Sequence, residues 1–247
     1  MRFEPYVAPI QAIAGRREDL LVLCCHASHA IPDALGGLGL TPVDRLEHIA
    51  WDPGAREVAL ALAARLDCPA LLGGVSRLVV DLNRSPTSSE LILAESDNRM
   101  VPGNLRVGDA ERAARIADWH APYHAAIDRH LDDLAGRGVA PTLVAIHSFT
   151  PVWCGIARPW HAGVLWKHER EPVAALIDAL ARQGLAVGDN EPYDGHVAMG
   201  YTLEQHGERR GLRHVLLELR NDLLGTREQT GAWADRLAAA LRDAGWA

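Results

Sequence analysis

Continuous apolar runs alternate along the chain with segments whose apolar residues recur at helical spacing. The run LLVLCC at 20–25 is typical of a strand that is covered on both faces. Further runs predict buried strands at 141–148 (PTLVAIHS), 162–166 (AGVLW) and 213–221 (RHVLLELRN), and shorter strands within PALLGG and SRLVVDLNR.

After Asp52 the pattern changes to alanines and leucines at helical spacing. It predicts a helix over 53–66, with Asp52 as the N-cap and Pro53 at the first helical position. Further helices are expected at 109–135, where Pro122 should introduce a kink, at 171–184, in LEQHGERRG and in GAWADRLAAALRDA. Strands that alternate with helices indicate an α/β fold, in which a mixed, mostly parallel sheet is sandwiched between helices.

Residues 85–108 have little periodicity and are rich in serine, proline, asparagine and glycine. We assign them to a surface loop of the kind that covers a site. The chain has 247 residues, 48% of them apolar, which is enough for a sizeable core. We expect residues 1–247 to form a single domain.

Charge and hydropathy argue against several classes of partner. The formal net charge is −7, from 32 acidic and 25 basic side chains, and no basic cluster stands out that would follow a phosphate backbone. The start of the chain lacks the apolar core of a signal peptide, and no apolar run is long enough to cross a bilayer. We expect a soluble cytoplasmic protein that binds neither nucleic acid nor a membrane; its oligomeric state is not predicted.

The four cysteines, at positions 24, 25, 68 and 154, show no CxxC spacing. In a strand Cys24 and Cys25 point to opposite faces, so a structural zinc knuckle is not expected. We interpret both as small core residues, because free cysteine is among the most buried residue types.

Polar side chains follow the predicted strands, at the edge where parallel sheets bind their ligands. They are His26, His29, Asn83, Arg84, His147, Ser148, Glu218, Arg220 and Asn221. Histidines and carboxylates at strand ends match the donors that zinc accepts in hydrolytic sites, which use three protein ligands and leave one position for water.

His26 and His147 are the first two predicted zinc ligands. His29 and Asp52 compete for the third position, and the spacing does not choose between them. Asp52 has the alternative role of a helix cap, and each histidine has that of a hydrogen-bonded loop residue.

Glu218 stands in LLELR, among apolar neighbours where a carboxylate is normally excluded. A buried glutamate beside a metal suits the role of general base, because burial raises its pKa toward the working pH. The alternative is a salt bridge to Arg220 or Arg84.

Arg77, Arg84 and Asn83 offer donors that suit capture of a substrate carboxylate or stabilisation of an oxyanion, although each arginine alone also fits an ordinary surface position. His120 and His124 lie four residues apart, but the glutamate of an HExxH motif is replaced by Ala121. We therefore predict a packing or hydrogen-bonding role for this pair. Among the remaining histidines, His206 is the one most expected to reach a pocket.

Several segments together resemble the N-formylglutamate amidohydrolase family, from about residue 20 to 240. They are CHASHAIP, HIAWD, SRLVVDLNR, WHAPYH, IHSFTP, GDNEPY, YTLEQHG and LLELRNDL, and WHAGVLW resembles the shorter branch of the family. The resemblance implies a zinc-exopeptidase-like (phosphorylase/hydrolase-like) fold. The activity it implies is hydrolysis of N-formyl-L-glutamate to formate and glutamate.

Residue by residue, the resemblance implies one zinc ion held by His26 and His147, with Asp52 as the acidic residue near it and Glu218 as the base. It also implies that Asn83 and Arg84 hold a substrate carboxylate and that Arg77 faces the oxyanion. Related chains usually read DHASN where this chain has Cys25 and His29, and the HxxE motif is absent, so the third ligand stays open between His29 and Asp52.

We thus expect a zinc-dependent amidohydrolase that acts on an N-formyl or other N-acyl amino acid, a small molecule. The sequence leaves two alternatives open. One is a carboxypeptidase-like peptidase that cleaves short peptides, and the other is a non-catalytic protein of the same fold that binds a metal or a ligand.

Overall fold

The structure is a computed structural model that describes residues 7–197 and 199–247. Within these residues the strands are, in chain order, β1 Ile10–Ile13, β2 Leu20–Cys24, β3 Ala70–Gly73, β4 Glu95–Ser96, β5 Arg99–Met100, β6 Thr142–Phe149, β7 Val152–Trp153, β8 Ile156–Ala157, β9 Ala162–Leu165, β10 Val187–Asp189 and β11 His214–Arg220. The α-helices are α1 Ala55–Leu66, α2 Asp109–Arg115, α3 Ala121–Gly136, α4 Glu171–Ala181, α5 Tyr201–Leu203 and α6 Arg227–Asp243.

Seven of the described strands form the central sheet, in the order β1-β3-β2-β6-β11-β9-β10. The four strands β3, β2, β6 and β11 are parallel to one another. Strands β1 and β9 run antiparallel to their neighbours β3 and β11, and β10 is parallel to β9. The predicted mixed, mostly parallel sheet is therefore confirmed.

Helices cover both faces of the sheet. Successive residues of a strand point to opposite sides, so each central strand contributes to two apolar clusters. Leu20 and Val22 of β2 pack in an apolar cluster with α1, α4 and α6. Leu21 and Leu23 pack on the other side with α3 and apolar residues of segment 75–82. The parallel strands in the middle are buried on both sides, which explains why they read as continuous apolar runs.

The predicted strand in SRLVVDLNR is wrong. Residues 76–84 form turns instead, and their apolar side chains are buried without joining a strand ladder. Two short strands at the sheet edges, β1 and β10, were not predicted, because four or three residues carry too little pattern to identify.

Helix α1 begins at Ala55 and not at Pro53, and its N-cap is Gly54, with φ of 80°. None of the described side chains caps it, so the predicted capping role of Asp52 is wrong. The Asp52 carboxylate points away from the helix to the partners described below.

Helices α2 and α3 are joined by a π-helical turn, Ile116–His120, and Pro122 lies in the first turn of α3. The irregularity thus precedes the proline that was expected to produce it. Helix α6 begins earlier than predicted, at a capping box formed by Thr226 and Gln229. No helix in the described part of the chain is long and apolar enough to cross a membrane.

Candidate metal and active site

The carboxyl ends of three adjacent parallel strands bring the main candidate residues together. His147 of β6 and Glu218 of β11 are direct neighbours in the strand register. Cys25 and His26 follow β2, the other neighbour of β6. A cavity of about 1020 Å³ opens over this edge, and its lining includes His26, Asp52, His147 and Glu218.

Both histidines are buried and each is held by a carboxylate. His147 Nδ1 lies 2.7 Å from Asp52 Oδ2, and His26 Nε2 lies 2.7 Å from Asp81 Oδ1. The two rings meet edge to face, with centroids 5.1 Å apart. A carboxylate behind an imidazole fixes its tautomer and orientation, which is how metal-binding histidines are usually supported.

Cys25 belongs to the site, contrary to its interpretation as a packing residue. Its Sγ lies 3.3 Å from His147 Nε2. Ligand atoms of Cys25, His26 and His147 all lie within 4.8 Å of one another. Thiolate and imidazole donors in a buried group fit zinc. The sequence signal that could have identified Cys25 was its position directly before His26 at a strand end.

The charges of this group reinforce one another. Burial opposes ionisation of the Cys25 thiol, but His147 and His26 lower its pKa below the ordinary value. Burial likewise opposes protonation of His147, whereas Cys25 and Asp52 raise its pKa well above the usual range. The thiol and the imidazole therefore favour opposite charges on each other, against the effect of burial.

Asp52 connects the group formed by Cys25, His26 and His147 to an arginine. Its carboxylate is 1% exposed and contacts both His147 and the guanidinium of Arg77. Burial alone would raise its pKa, but Arg77 and His26 hold it well below the usual range. Arg77 also contacts His26 Nδ1. Its own Nε is buried and has no hydrogen-bond acceptor within the described residues.

Glu218 is buried, and among the described residues its Oε2 has no hydrogen-bond partner. Burial raises its pKa to about 7, with His147 opposing the shift and Asp52 adding to it. The salt bridge considered from the sequence does not form, since Arg220 pairs with Asp222 and Arg84 with Glu90. A carboxyl group of this kind can exchange a proton with a bound molecule near neutral pH.

Asn83 and Arg84 both line the cavity, on the turn that was predicted as a strand. Asn83 Oδ1 accepts from the backbone N–H of Thr202 at 3.0 Å. Arg84 is partly exposed, and its Nη2 lies 3.3 Å from Glu90 Oε2. The loop 85–108 contributes to the same wall through Leu93, Glu95, Ser96 and Asp97, as expected of a loop over a site.

His29 is not brought to the other candidates. It is exposed, it packs edge to face on Trp51 with centroids 4.8 Å apart, and it is absent from the cavity lining. Ser148 and Asn221 line the cavity, whereas Arg220 does not.

Two neighbours of the site were missed from the sequence. Asp81 supports His26, and its signal was a carboxylate at the end of the apolar run LVV. His48 Nδ1 lies 3.6 Å from Asp52 Oδ1; it is the first residue of the motif HIAWD, which was its signal, but only Asp52 of that motif was singled out.

His120 and His124 hydrogen-bond to backbone carbonyl oxygens, which confirms the hydrogen-bonding role predicted for them. His206 is fully buried but does not line the cavity, so its expected approach to the pocket is wrong.

The family model of N-formylglutamate amidohydrolase matches residues 18–225. The chain belongs to the N-formylglutamate amidohydrolase family. This confirms the resemblance drawn from the sequence motifs and makes the protein a member of a family of amidohydrolases.

Two solved structures extend the comparison of this family member. Gene product Atu2144 from Agrobacterium tumefaciens is 32% identical, with a TM-score of 0.90 and an alignment that covers 98% of this chain and 95% of that one. N-formylglutamate amidohydrolase from Ralstonia eutropha JMP134 is 21% identical, with a TM-score of 0.71 and coverage of 97% and 98%. The second likeness is one of fold. Among proteins with curated descriptions, none matches the chain.

Proposed function

We propose that this family member is a metal-dependent hydrolase that cleaves the amide bond of an N-formyl or other N-acyl amino acid, such as N-formylglutamate. The observation that carries the proposal is the position of Glu218. One of its carboxyl oxygens, which has no hydrogen-bond partner among the described residues, shares a cavity with the imidazoles of His26 and His147, and the Cys25 thiol lies against His147. A proton acceptor beside a set of metal donors is the arrangement that water activation requires.

Cys25, His26 and His147 would hold the ion, and zinc suits a donor set of one thiolate and two imidazoles. When bound, zinc supplies a Lewis acid that lowers the pKa of water and polarises a carbonyl group. Asp52 is assigned as the residue that orients His147 and keeps its Nδ1 protonated, in place of the third ligand considered from the sequence.

Glu218 acts as the proton carrier. Its carboxylate accepts a proton from the attacking water and then donates it to the leaving nitrogen of the amide. A pKa of about 7 serves both steps, because neither protonation state is strongly favoured at neutral pH.

The arginines supply the charge complementarity that an N-acyl amino acid needs. Arg77 lines the cavity and has a buried Nε–H without a partner in the described part of the chain, so it can donate to the oxyanion that develops on the acyl carbonyl. Arg84 and Asn83 lie on the same wall and hold the α-carboxylate of the substrate.

Metal analysis of the purified protein, combined with a substrate panel, tests the proposal. N-formyl, N-acetyl and longer N-acyl amino acids are compared with short peptides. We expect about one zinc per chain and turnover of an N-acyl amino acid. Turnover of peptides alone would indicate a peptidase, bound zinc without any turnover would indicate a binding protein, and either result contradicts the proposal.

Replacement of the base tests the mechanism separately. Glu218→Gln should lower kcat by about 10²–10⁴-fold with the metal content unchanged, because general base catalysis contributes on this scale. Glu95→Gln, at an exposed carboxylate of the same cavity, is the matched control and should stay near the wild-type rate. Retention of most of the activity by Glu218→Gln would remove Glu218 from the reaction.

A further inference from the structure

The turn at residues 82–84 carries Asn83 and Arg84 to the cavity without the support of a sheet. It lies outside the described strands, so no strand ladder satisfies its backbone carbonyl groups. Unpaired carbonyl groups at a partly buried position are costly, and other donors must therefore hold this segment.

Three consecutive carbonyl oxygens of the turn accept hydrogen bonds from the π-helical turn Ile116–His120, from α3 and from α5. The carbonyl of Leu82 accepts from His124 Nε2 at 2.9 Å and, over the longer distance of 3.4 Å, from the Thr202 hydroxyl. The carbonyl of Arg84 accepts from His120 Nε2 at 2.9 Å. Between them, the carbonyl of Asn83 accepts from the backbone N–H of Tyr201 at 3.0 Å. The histidine pair thus replaces the neighbouring strand that a sheet would have supplied.

A third histidine fixes the orientation of His124. A carbonyl oxygen only accepts, so His124 Nε2 carries the proton, and His124 Nδ1 is the acceptor of the neutral ring. His206 Nε2 lies 2.8 Å from this Nδ1, and His206 Nδ1 lies 3.2 Å from a carboxylate oxygen of Asp128. Both partners are acceptors and a neutral His206 carries one proton, which we assign to the shorter contact, with His124. Burial lowers the pKa of His124 to about 2, with His120 and His206 adding to the shift, which agrees with a neutral ring.

The same turn is linked to the metal group. The Asp81 carboxylate accepts from the backbone N–H of Asn83 at 2.8 Å and contacts His26 at 2.7 Å. A displacement of the turn would therefore move Asn83 and Arg84 directly. It would also disturb the contact between Asp81 and His26, because Asp81 accepts from the backbone of Asn83.

We propose that His120 and His124 are positioning residues, which hold the backbone of residues 82–84 so that Asn83 and Arg84 face the substrate carboxylate. His206 acts through His124 by keeping it in the donating tautomer. The assignment of the carboxylate rests on the proposed function, whereas the support of the turn does not.

Hydrogen exchange at the amides of residues 82–84 tests the support of the turn without an activity assay. His124→Phe keeps a ring and loses the donor, whereas His124→Gln keeps an N–H donor at nearly the same reach. We expect exchange about two- to tenfold faster in His124→Phe, as loss of one hydrogen bond implies, and near the wild-type rate in His124→Gln. His206→Phe should lie between them.

Kinetics test the positioning role on the same variants. KM for the N-acyl amino acid should rise about two- to tenfold in His124→Phe, with a smaller change in kcat, and the glutamine variant should recover most of the loss. His214→Phe is the matched control. It removes another histidine hydrogen bond to a backbone carbonyl, 2.8 Å long, at the opposite end of β11, and should change neither the turn nor KM.

Unchanged exchange at residues 82–84 in His124→Phe would overturn the proposal. Failure of His124→Gln to restore the exchange rate would also overturn it, because the effect would then come from ring packing and not from the donated bond. If the wild-type protein hydrolyses no N-acyl amino acid, the proposed function fails, and the exchange result still decides whether the histidines hold the turn.

Discussion

Two groups of buried histidines lie on the same side of the sheet, and their pKa values are shifted in opposite directions. The site histidines are His26 and His147, and the supporting histidines are His120, His124 and His206. All are at most 7% exposed. Cys25 and Asp81 raise the pKa of His26 to about 9 against the effect of burial and of Arg77, whereas burial lowers the pKa of His206 to about 4.

The partners produce this difference, since burial disfavours the charged form of both groups. The site histidines contact Asp52, Asp81 and the Cys25 thiol. His120 and His124 contact carbonyl oxygens, and His124 also contacts the ring of His206. Acidic partners raise the pKa of an imidazole and favour a positive charge beside it. A carbonyl acceptor instead fixes the tautomer of a neutral ring, which then acts as a hydrogen-bond donor. The same residue type therefore suits the proposed metal binding in one place and supports the backbone in the other.

Removal of the Cys25 thiol should have the largest effect on metal affinity. We expect Cys25→Ser to lower zinc affinity by at least the roughly 10–100-fold that loss of an outer-shell partner costs, because a direct ligand is lost. Chelator competition measures the affinity. The cobalt-loaded protein should also lose its thiolate-to-metal absorption band.

Cys68→Ser serves as the control for a buried cysteine outside the site. An identical cobalt spectrum in Cys25→Ser and wild type would exclude Cys25 as a ligand.

Removal of an acidic partner should have the next largest effect. Asp52→Asn takes away the carboxylate behind His147 and should lower metal affinity about 10–100-fold. The matched control is Asp128→Asn, which removes the carboxylate 3.2 Å from His206 Nδ1 in the supporting group. Metal affinity should be unchanged there. Equal losses in the two variants would show that the two groups are not separate.

The smallest effect concerns the pH dependence of stability. A histidine whose pKa is lower in the folded than in the unfolded protein stays neutral while the unfolded chain takes up a proton. The free energy of unfolding should therefore fall as the pH drops below about 6.5, by up to about 2 kcal/mol per histidine between pH 6.5 and 5. The groups facing His124 and His206 are His120, Tyr123, Tyr201, Asp128 and Arg210.

Urea unfolding of the wild type and of His206→Phe at pH 6.5 and 5 measures this effect. The variant should lose part of the acid sensitivity. In the metal-free protein the site histidines act slightly in the opposite sense, because the pKa of each is raised above its unfolded value. Each is already protonated in the folded state at pH 6.5, whereas the unfolded chain completes its protonation between pH 6.5 and 5. Equal pH dependence in the two proteins would contradict a neutral His206.

The middle of the sheet could be predicted from the sequence because its strands are buried on both faces. Runs 20–25, 141–148 and 213–221 correspond closely to β2, β6 and β11. The short edge strands β1 and β10 could not be identified. Segment 76–84 misled the prediction because its apolar residues enter the core from turns, and a pattern of burial does not distinguish turns from a strand.

The candidate site was predicted in part. Polar residues directly after buried strands pointed to His26, His147 and Glu218, since the carboxyl ends of parallel strands meet at one edge. The place of Cys25 was missed, because the general tendency of free cysteine to be buried says nothing about which group it faces. The partner of Asp52 was also missed, since a carboxylate before a helix has an equally good local role as a cap.

The sequence by itself determined which strands are central, where the polar residues leave the sheet, and to which family the motifs point. Only the tertiary structure decided what each polar side chain faces. His29 and His26 are three residues apart, yet one lies in solvent against Trp51 and the other against Asp81 in the interior. The reason is that local sequence sets propensity and burial, whereas the charge state of a buried group depends on partners from distant segments.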